Sequence, residues 1–240
     1  MGSTSIQRVN SGVGARTSAG RCGWSLHLRP ILAAVRTGIL GGTFDPIHIA
    51  HLHAGETALW QASLDRVLFM PAGDPWQKDV RSLTPASLRL EMTRVAVAGV
   101  EGFVADDREI TRDGPTYTID TLHTFPDDED LFLILGSDAA VGMPSWHRWQ
   151  EVVDRAGILV VPRLGTDPAR VERVLPKAVM LDMAMIDISA TELRGMVGRG
   201  EPYRFLVPPA VHEFIEAHDL YAQFGSGDRV GDANDQEDSP

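Results

Sequence analysis

Gly38-Ile39-Leu40-Gly41-Gly42-Thr43-Phe44-Asp45-Pro46-Ile47-His48-Ile49-Ala50-His51 opens on a short apolar run, crosses two adjacent glycines and enters a helix-like segment. It reads as strand, tight glycine turn and helix N-terminus, the place where an α/β protein binds phosphate. Glycine permits positive φ and lacks the Cβ that would hold an anion away. His48 and His51, spaced i and i+3, face one side of the first helical turn. Imidazole N–H groups in that position can stabilise the charge that gathers on the oxygens of a phosphorus centre under attack. Thr43 adds a hydroxyl donor. Asp45-Pro46 stiffens the turn, with Asp45 read as a cap.

Working outward, apolar runs of strand length alternate with helical patterns. Strands are expected over 35–40, 66–70, 102–105, 131–135, 157–161, 179–181 and 185–188. Helices are expected over 51–64, 85–97, 116–125, 169–175, 189–197 and 209–218. Thr84 is read as the N-cap of the second helix, with Pro85 at its first position. This alternation predicts the α/β class: a Rossmann-like, doubly wound parallel sheet, one domain with a small C-terminal helical part. Ligands of such sheets bind beyond the carboxyl ends of the strands. Residues 41–51, 71–78, 136–138 and 189–194 all fall there.

The 240 residues are 43% hydrophobic and 23% charged, ordinary for a globular protein. Residues 36–222 are expected to form the α/β domain. Residues 1–35 lack periodicity and read as a disordered extension, and residues 223–240 as a disordered acidic tail. An Arg-rich, Ser-rich, acid-free start also fits an organellar transit peptide. The single cysteine, Cys22, allows no intramolecular disulfide and agrees with a cytoplasmic setting. No apolar run approaches the roughly 20 residues of a membrane span. Five arginines lie in residues 1–36 and five acids in 223–240, yet the whole carries −11, so the body is itself acidic. That argues against general nucleic-acid binding, not against a small anionic substrate met by local donors. A homo-oligomer is left open.

The second constellation is Ile188-Ser189-Ala190-Thr191-Glu192-Leu193-Arg194. Ser189 or Thr191 can cap a helix whose N–H groups meet phosphate. Arg194, one turn in, offers a guanidinium fork suited to phosphate oxygens. His48, His51, His53 and Asp45 together also raise a metal-dependent hydrolase as an alternative, with Asp138 the obvious further ligand.

The first stretch resembles the GGTFDPxHxGH signature of bacterial nicotinate-nucleotide adenylyltransferases, and Ser189–Arg194 resembles the ISxTxxR signature of the same family. The resemblance covers about residues 36–222. Gly114-Pro115-Thr116-Tyr117-Thr118-Ile119-Asp120-Thr121-Leu122, Gly136-Ser137-Asp138 and Pro144-Ser145-Trp146-His147-Arg148-Trp149 are similar to further family segments and favour nicotinate over nicotinamide or pantetheine-phosphate substrates. The resemblance implies that ATP and nicotinate mononucleotide give nicotinate adenine dinucleotide and pyrophosphate, with Mg²⁺ carried on the ATP phosphates. It implies catalytic roles for His48, His51 and Arg194. Phosphate or nucleotide contacts fall to Gly41, Gly42, Thr43, Lys78, Asp138, Ser189 and Thr191. Thr118, Trp146 and His147 fall to the nicotinate ring. No protein metal site is implied. The chain departs from the pattern at Ala50, where the family has glycine, and at Trp76-Gln77 ahead of Lys78.

Overall fold

A computed structural model describes residues 34–73, 83–112, 114 and 116–225. Lys78, Trp76, Gln77, Pro115, residues 1–33 and residues 226–240 lie outside the described residues. Six parallel strands form one sheet: β1 (Arg36–Gly42), β2 (Arg66–Pro71), β3 (Phe103–Ala105), β4 (Asp130–Gly136), β5 (Ala156–Val161) and β6 (Val179–Met180). Their order is β3-β2-β1-β4-β5-β6. β1 is thus flanked by β2 on one side and β4 on the other, and the direction of winding reverses between β1 and β4. That reversal opens a crevice at the strands' carboxyl ends.

The four central strands β1, β2, β4 and β5 are buried on both faces, so adjacent residues feed different cores, while β3 and β6 form the more exposed edges. Ile39 packs with Leu68, Met70, Leu133 and Leu135 on one face. Its neighbour Leu40 packs with Val67, Phe69 and Ile134 on the other. The second face is covered by α1 (Ile49–Gln61), α2 (Ala86–Val97), α7 (Ala190–Gly198) and α8 (Pro209–Ala217) through Ala58, Met92, Leu193 and Ile215. The first is covered by α3 (Thr118–Leu122), α4 (Ser137–Gly142), α5 (Trp149–Arg155) and α6 (Pro168–Val174) through Ile119, Ala140, Val152 and Val171. The doubly wound expectation is met.

Several local expectations change. The 185–188 run has no strand partner and is irregular, although α7 begins after it as expected. The helix expected over 116–125 shortens to α3, and α4 and α5 had no counterpart in the sequence reading. Pro85, not Thr84, is the N-cap of α2, because the Pro85 carbonyl accepts the Arg89 backbone N–H at 3.1 Å, while the Thr84 carbonyl accepts from the Arg89 guanidinium at 2.9 Å.

Asp45 is not a cap. It is fully buried. Its carboxylate accepts the Tyr221 hydroxyl at 2.7 Å and the Thr84 backbone N–H at 3.2 Å. Arg89, 2% exposed, also donates to the carbonyls of Thr43 at 2.7 Å and Gly73 at 3.2 Å. The turn between β1 and α1 is therefore pinned by α2 and by the segment after α8. That segment continues into a 3₁₀ turn over Ala222–Gly225, where Phe224 packs near Tyr221.

A hydrogen bond to a buried charged acceptor is worth about 1.5–3 kcal/mol. Tyr221→Phe should lower stability by about that amount. In urea unfolding the midpoint should fall while the slope stays constant, and an unchanged midpoint would remove Tyr221 from this role.

Candidate active site

Gly41 and Gly42 end β1 in ordinary strand geometry. The positive φ expected of them falls instead on Phe44, at 49°. The glycines matter for the missing Cβ. On Gly42 it would lie 2.8 Å from Phe44 Cε1, whereas on Gly41 it would meet nothing within 4 Å. Gly42 lets the Phe44 ring fold inward, and Gly41 leaves the crevice open.

Two cavities meet at this point. One of about 230 Å³ is lined by Gly41, Gly42, Thr43, Thr118, Trp146 and His147, among others. One of about 370 Å³ is lined by Gly41, Thr43, His48, His51, Ser189 and Thr191, among others. Gly41 and Thr43 belong to both. Together the cavities match the size of sites for drug-sized ligands and cofactors.

His48 is the N-cap residue of α1. Its ring stacks on that of His51, with centroids 3.7 Å apart and planes 26° from parallel. Phe44 meets His51 edge-on at 4.9 Å. The His48 backbone N–H donates to His51 Nδ1 at 3.2 Å. An accepting Nδ1 leaves the proton of a neutral imidazole on Nε2, so backbone geometry selects the His51 tautomer. His48 is 4% exposed, and its Nδ1 is buried without a hydrogen-bond partner. Burial, and then the positive charge of Arg163, push its pKa down to about 4. At neutral pH His48 is an uncharged imidazole.

Ser189 is the N-cap of α7, its Oγ accepting from the Glu192 N–H at 3.1 Å. Arg194 crosses to the histidine turn, donating from Nη1 to the Asp45 carbonyl at 2.7 Å and from Nη2 to Thr191 Oγ1 at 3.3 Å. Its Nε is buried and unpartnered, and its guanidinium lies 5.3 Å from the centre of the Phe224 ring. Residues of both sequence motifs thus line the larger cavity, whereas Arg194 itself lines neither cavity. In the other cavity Tyr117 precedes Thr118, the first residue of α3, and its ring lies 4.5 Å from that of His147.

Asp138 stands apart from these residues. Its side chain is 65% exposed, lines neither cavity, accepts from Thr166 Oγ1 at 2.6 Å and pairs with Arg163 Nη1 at 3.5 Å. His53 also lines neither cavity, and its Nε2 is buried without a hydrogen-bond partner. The metal-site reading loses its geometry: the His48 and His51 rings stack on each other and Asp45 is taken by Tyr221 and Thr84. Among the described residues no group of three or more His, Cys, Asp or Glu could hold a metal ion. Ala50 lies in the wall of the larger cavity, opposite Met183, Met185, Ile186 and Ile188.

Sequence reasoning missed Arg163 and Glu109, which line the larger and the smaller cavity. Arg163 lies just past the carboxyl end of β5, so the strand-end rule could have found it. Nothing in the local sequence marks Glu109. The apolar 185–188 run was misassigned because Met185, Ile186 and Ile188 line the larger cavity and the run pairs with no strand.

The pattern of the cytidylyltransferase-like family matches residues 39–196. The chain is 42% identical over 212 residues to a probable nicotinate-nucleotide adenylyltransferase of Pseudomonas entomophila, covering 79% of this chain and 96% of that one. It is 42% identical over 195 residues to one from a Synechococcus strain, covering 78% and 94%. In fold it is similar to the Plasmodium falciparum nicotinic acid mononucleotide adenylyltransferase complexed with NaAD, at a TM-score of 0.67 and 20% identity, covering 78% of this chain and 98% of that one.

An unfolded histidine takes up its proton below about pH 6.5, and folded His48 does so only near 4. The folded state thus binds fewer protons in that window, and His48's contribution to stability is lost as pH falls from 6.5 toward 4. An NMR titration should place its midpoint near pH 4. A midpoint near 6.5 would contradict the burial argument.

Proposed function

Because this chain belongs to the nicotinate-nucleotide adenylyltransferase family, we infer that it transfers the adenylyl group of ATP to nicotinate mononucleotide in NAD biosynthesis. The observation that carries the mechanism is the pair of cavities sharing Gly41 and Thr43. Nicotinate mononucleotide takes the smaller cavity, with its ring toward Trp146, His147 and Thr118. ATP takes the larger, with its phosphates toward His48, His51, Ser189 and Thr191. The two phosphate groups then meet over the open backbone of Gly41.

An oxygen of the mononucleotide 5′-phosphate attacks the α-phosphorus of ATP, and the bond to the bridging oxygen of the β-phosphate breaks. Pyrophosphate leaves with that electron pair. No protein nucleophile is required, so catalysis rests on positioning and on stabilising charge. His51 donates from Nε2, the tautomer its backbone contact selects. Neutral His48 donates a hydrogen bond without the repulsion a charged ring would meet from Arg163. Arg194 gives up its carbonyl contact for phosphate oxygens on the leaving side. Lys78, outside the described residues, brings positive charge to the phosphates.

Mg²⁺ fits this site as a companion of the triphosphate. The larger cavity presents imidazoles, hydroxyls and Arg163 and no converging carboxylates among the described residues, so phosphate oxygens and water would hold the ion. Its charge would offset that of the phosphates. Asp138 lines neither cavity, but its ion-pair partner Arg163 and its neighbour Ala139 line the larger one, and it turns to the adenosine ribose once Arg163 releases it. No described helix is long and apolar enough to cross a membrane, and we place the enzyme in the cytoplasm, with its substrates.

A pyrophosphate-release assay tests this. Nicotinate mononucleotide should outperform nicotinamide mononucleotide by about tenfold or more, the value of one charge-assisted contact of about 1.5–3 kcal/mol. His51→Ala should lose about 100-fold or more in kcat with an unchanged circular dichroism spectrum. Equal use of the two substrates, or near-normal turnover by the variant, would overturn the assignment.

A further inference from the structure

Glu109 stands in the wall of the smaller cavity, and nothing in the mechanism above uses it. It lies between β3 and α3. Its Oε1 accepts the hydroxyl of Thr121 at 3.0 Å, and that hydroxyl also accepts from Arg112 Nη1 at 3.3 Å. Thr121 is 2% exposed and sits one helical turn beyond Thr118. The Glu109 backbone packs directly on Gly73, where a Cβ would lie 2.2 Å from its carbonyl oxygen. The carboxyl is therefore fixed in the wall that also holds Thr118, Trp146 and His147.

An acid in a cavity that takes a pyridine carboxylate is a conflict of like charges. The conflict disappears when Glu109 is uncharged. We propose that Glu109 is a specificity residue of the mononucleotide cavity: uncharged, it admits the anionic nicotinate ring, and ionised it turns the cavity toward the neutral amide. This rests on the assignment of that cavity to the mononucleotide.

Burial, the largest influence, raises the pKa of Glu109 above the usual carboxylate range, and Asp106 raises it further. The Thr121 hydroxyl and Arg112 act in the opposite direction. Tyr117 and His147 are the other titratable side chains in this cavity wall. As pH rises, Glu109 ionises and repels the acid substrate, while the amide is unaffected. Binding of the acid correspondingly draws a proton onto Glu109. The two mononucleotides share ribose and phosphate, so the ratio of their kcat/KM values cancels every titration that acts on both alike.

That ratio, acid over amide, is to be measured from pH 5.5 to 9 in the wild type and in Glu109→Gln, which keeps an oxygen for Thr121. In the wild type it should fall about tenfold as Glu109 ionises. In the variant the ratio should stay constant across that range. Calorimetry in two buffers of different ionisation heat supplies a reading that needs no variant. Nicotinate mononucleotide should bind to the wild type with proton uptake beyond that seen with the amide. The same ratio profile in both proteins, or equal proton uptake for the two ligands, would overturn the role of Glu109. Failure to turn over either mononucleotide would instead overturn the assignment of the cavity.

Discussion

Asp45 is a carboxylate with no access to water, joined to Pro46 by a cis peptide bond. A buried charge persists only when its lone pairs are met, and here a tyrosine hydroxyl and a backbone N–H from distant parts of the chain meet them. Arg89, buried beside it, uses its fork on three carbonyls. Between them these two side chains fix the path from Gly42 to His48. The backbone carbonyl of Asp45 is in turn the resting partner of Arg194. One residue thus anchors the turn internally and presents the contact that joins the two walls of the site.

The consequence is preorganisation. Adenylyl transfer demands that two anionic phosphates approach each other, and the protein must supply donors already in place. The reversal of winding between β1 and β4 provides the crevice. Gly41 leaves it open, and the stacked His48 and His51 rings, one at the cap and one in the first turn of α1, form its floor. Burial keeps His48 neutral, and a backbone N–H sets the His51 tautomer. Neither feature needs a ligand to form.

The sheet was legible because strands buried on both faces are nearly continuous apolar runs, as in Leu131–Leu135 and Val67–Met70. The glycine turn and the Ser189 cap were legible because their spacing is local. What was hidden depends on long-range contact or on short elements. α5 starts from Arg148 at φ 52°, a left-handed entry that no local pattern marks, and is seven residues long. Residues 185–188 read as a strand because apolar side chains that line a ligand cavity look the same in sequence as those that line a core. Asp45 read as a cap because its partner Tyr221 is 176 positions away. Gly41 and Gly42 were marked for positive φ, which falls on Phe44 instead, and at Gly42 the missing Cβ makes room for the Phe44 ring. Glu109 and Arg163 carry no local signature.

The central claim is that the two cavities meeting at Gly41 and Thr43 each hold one nucleotide. A crystal structure with the product dinucleotide bound tests it most directly. The nicotinate half should lie against Trp146, His147 and Thr118, the adenylate half beside His48, Ala50 and the 183–188 segment, and the diphosphate across Gly41–Thr43. A dinucleotide folded into one cavity, or running in the opposite sense, would contradict this account.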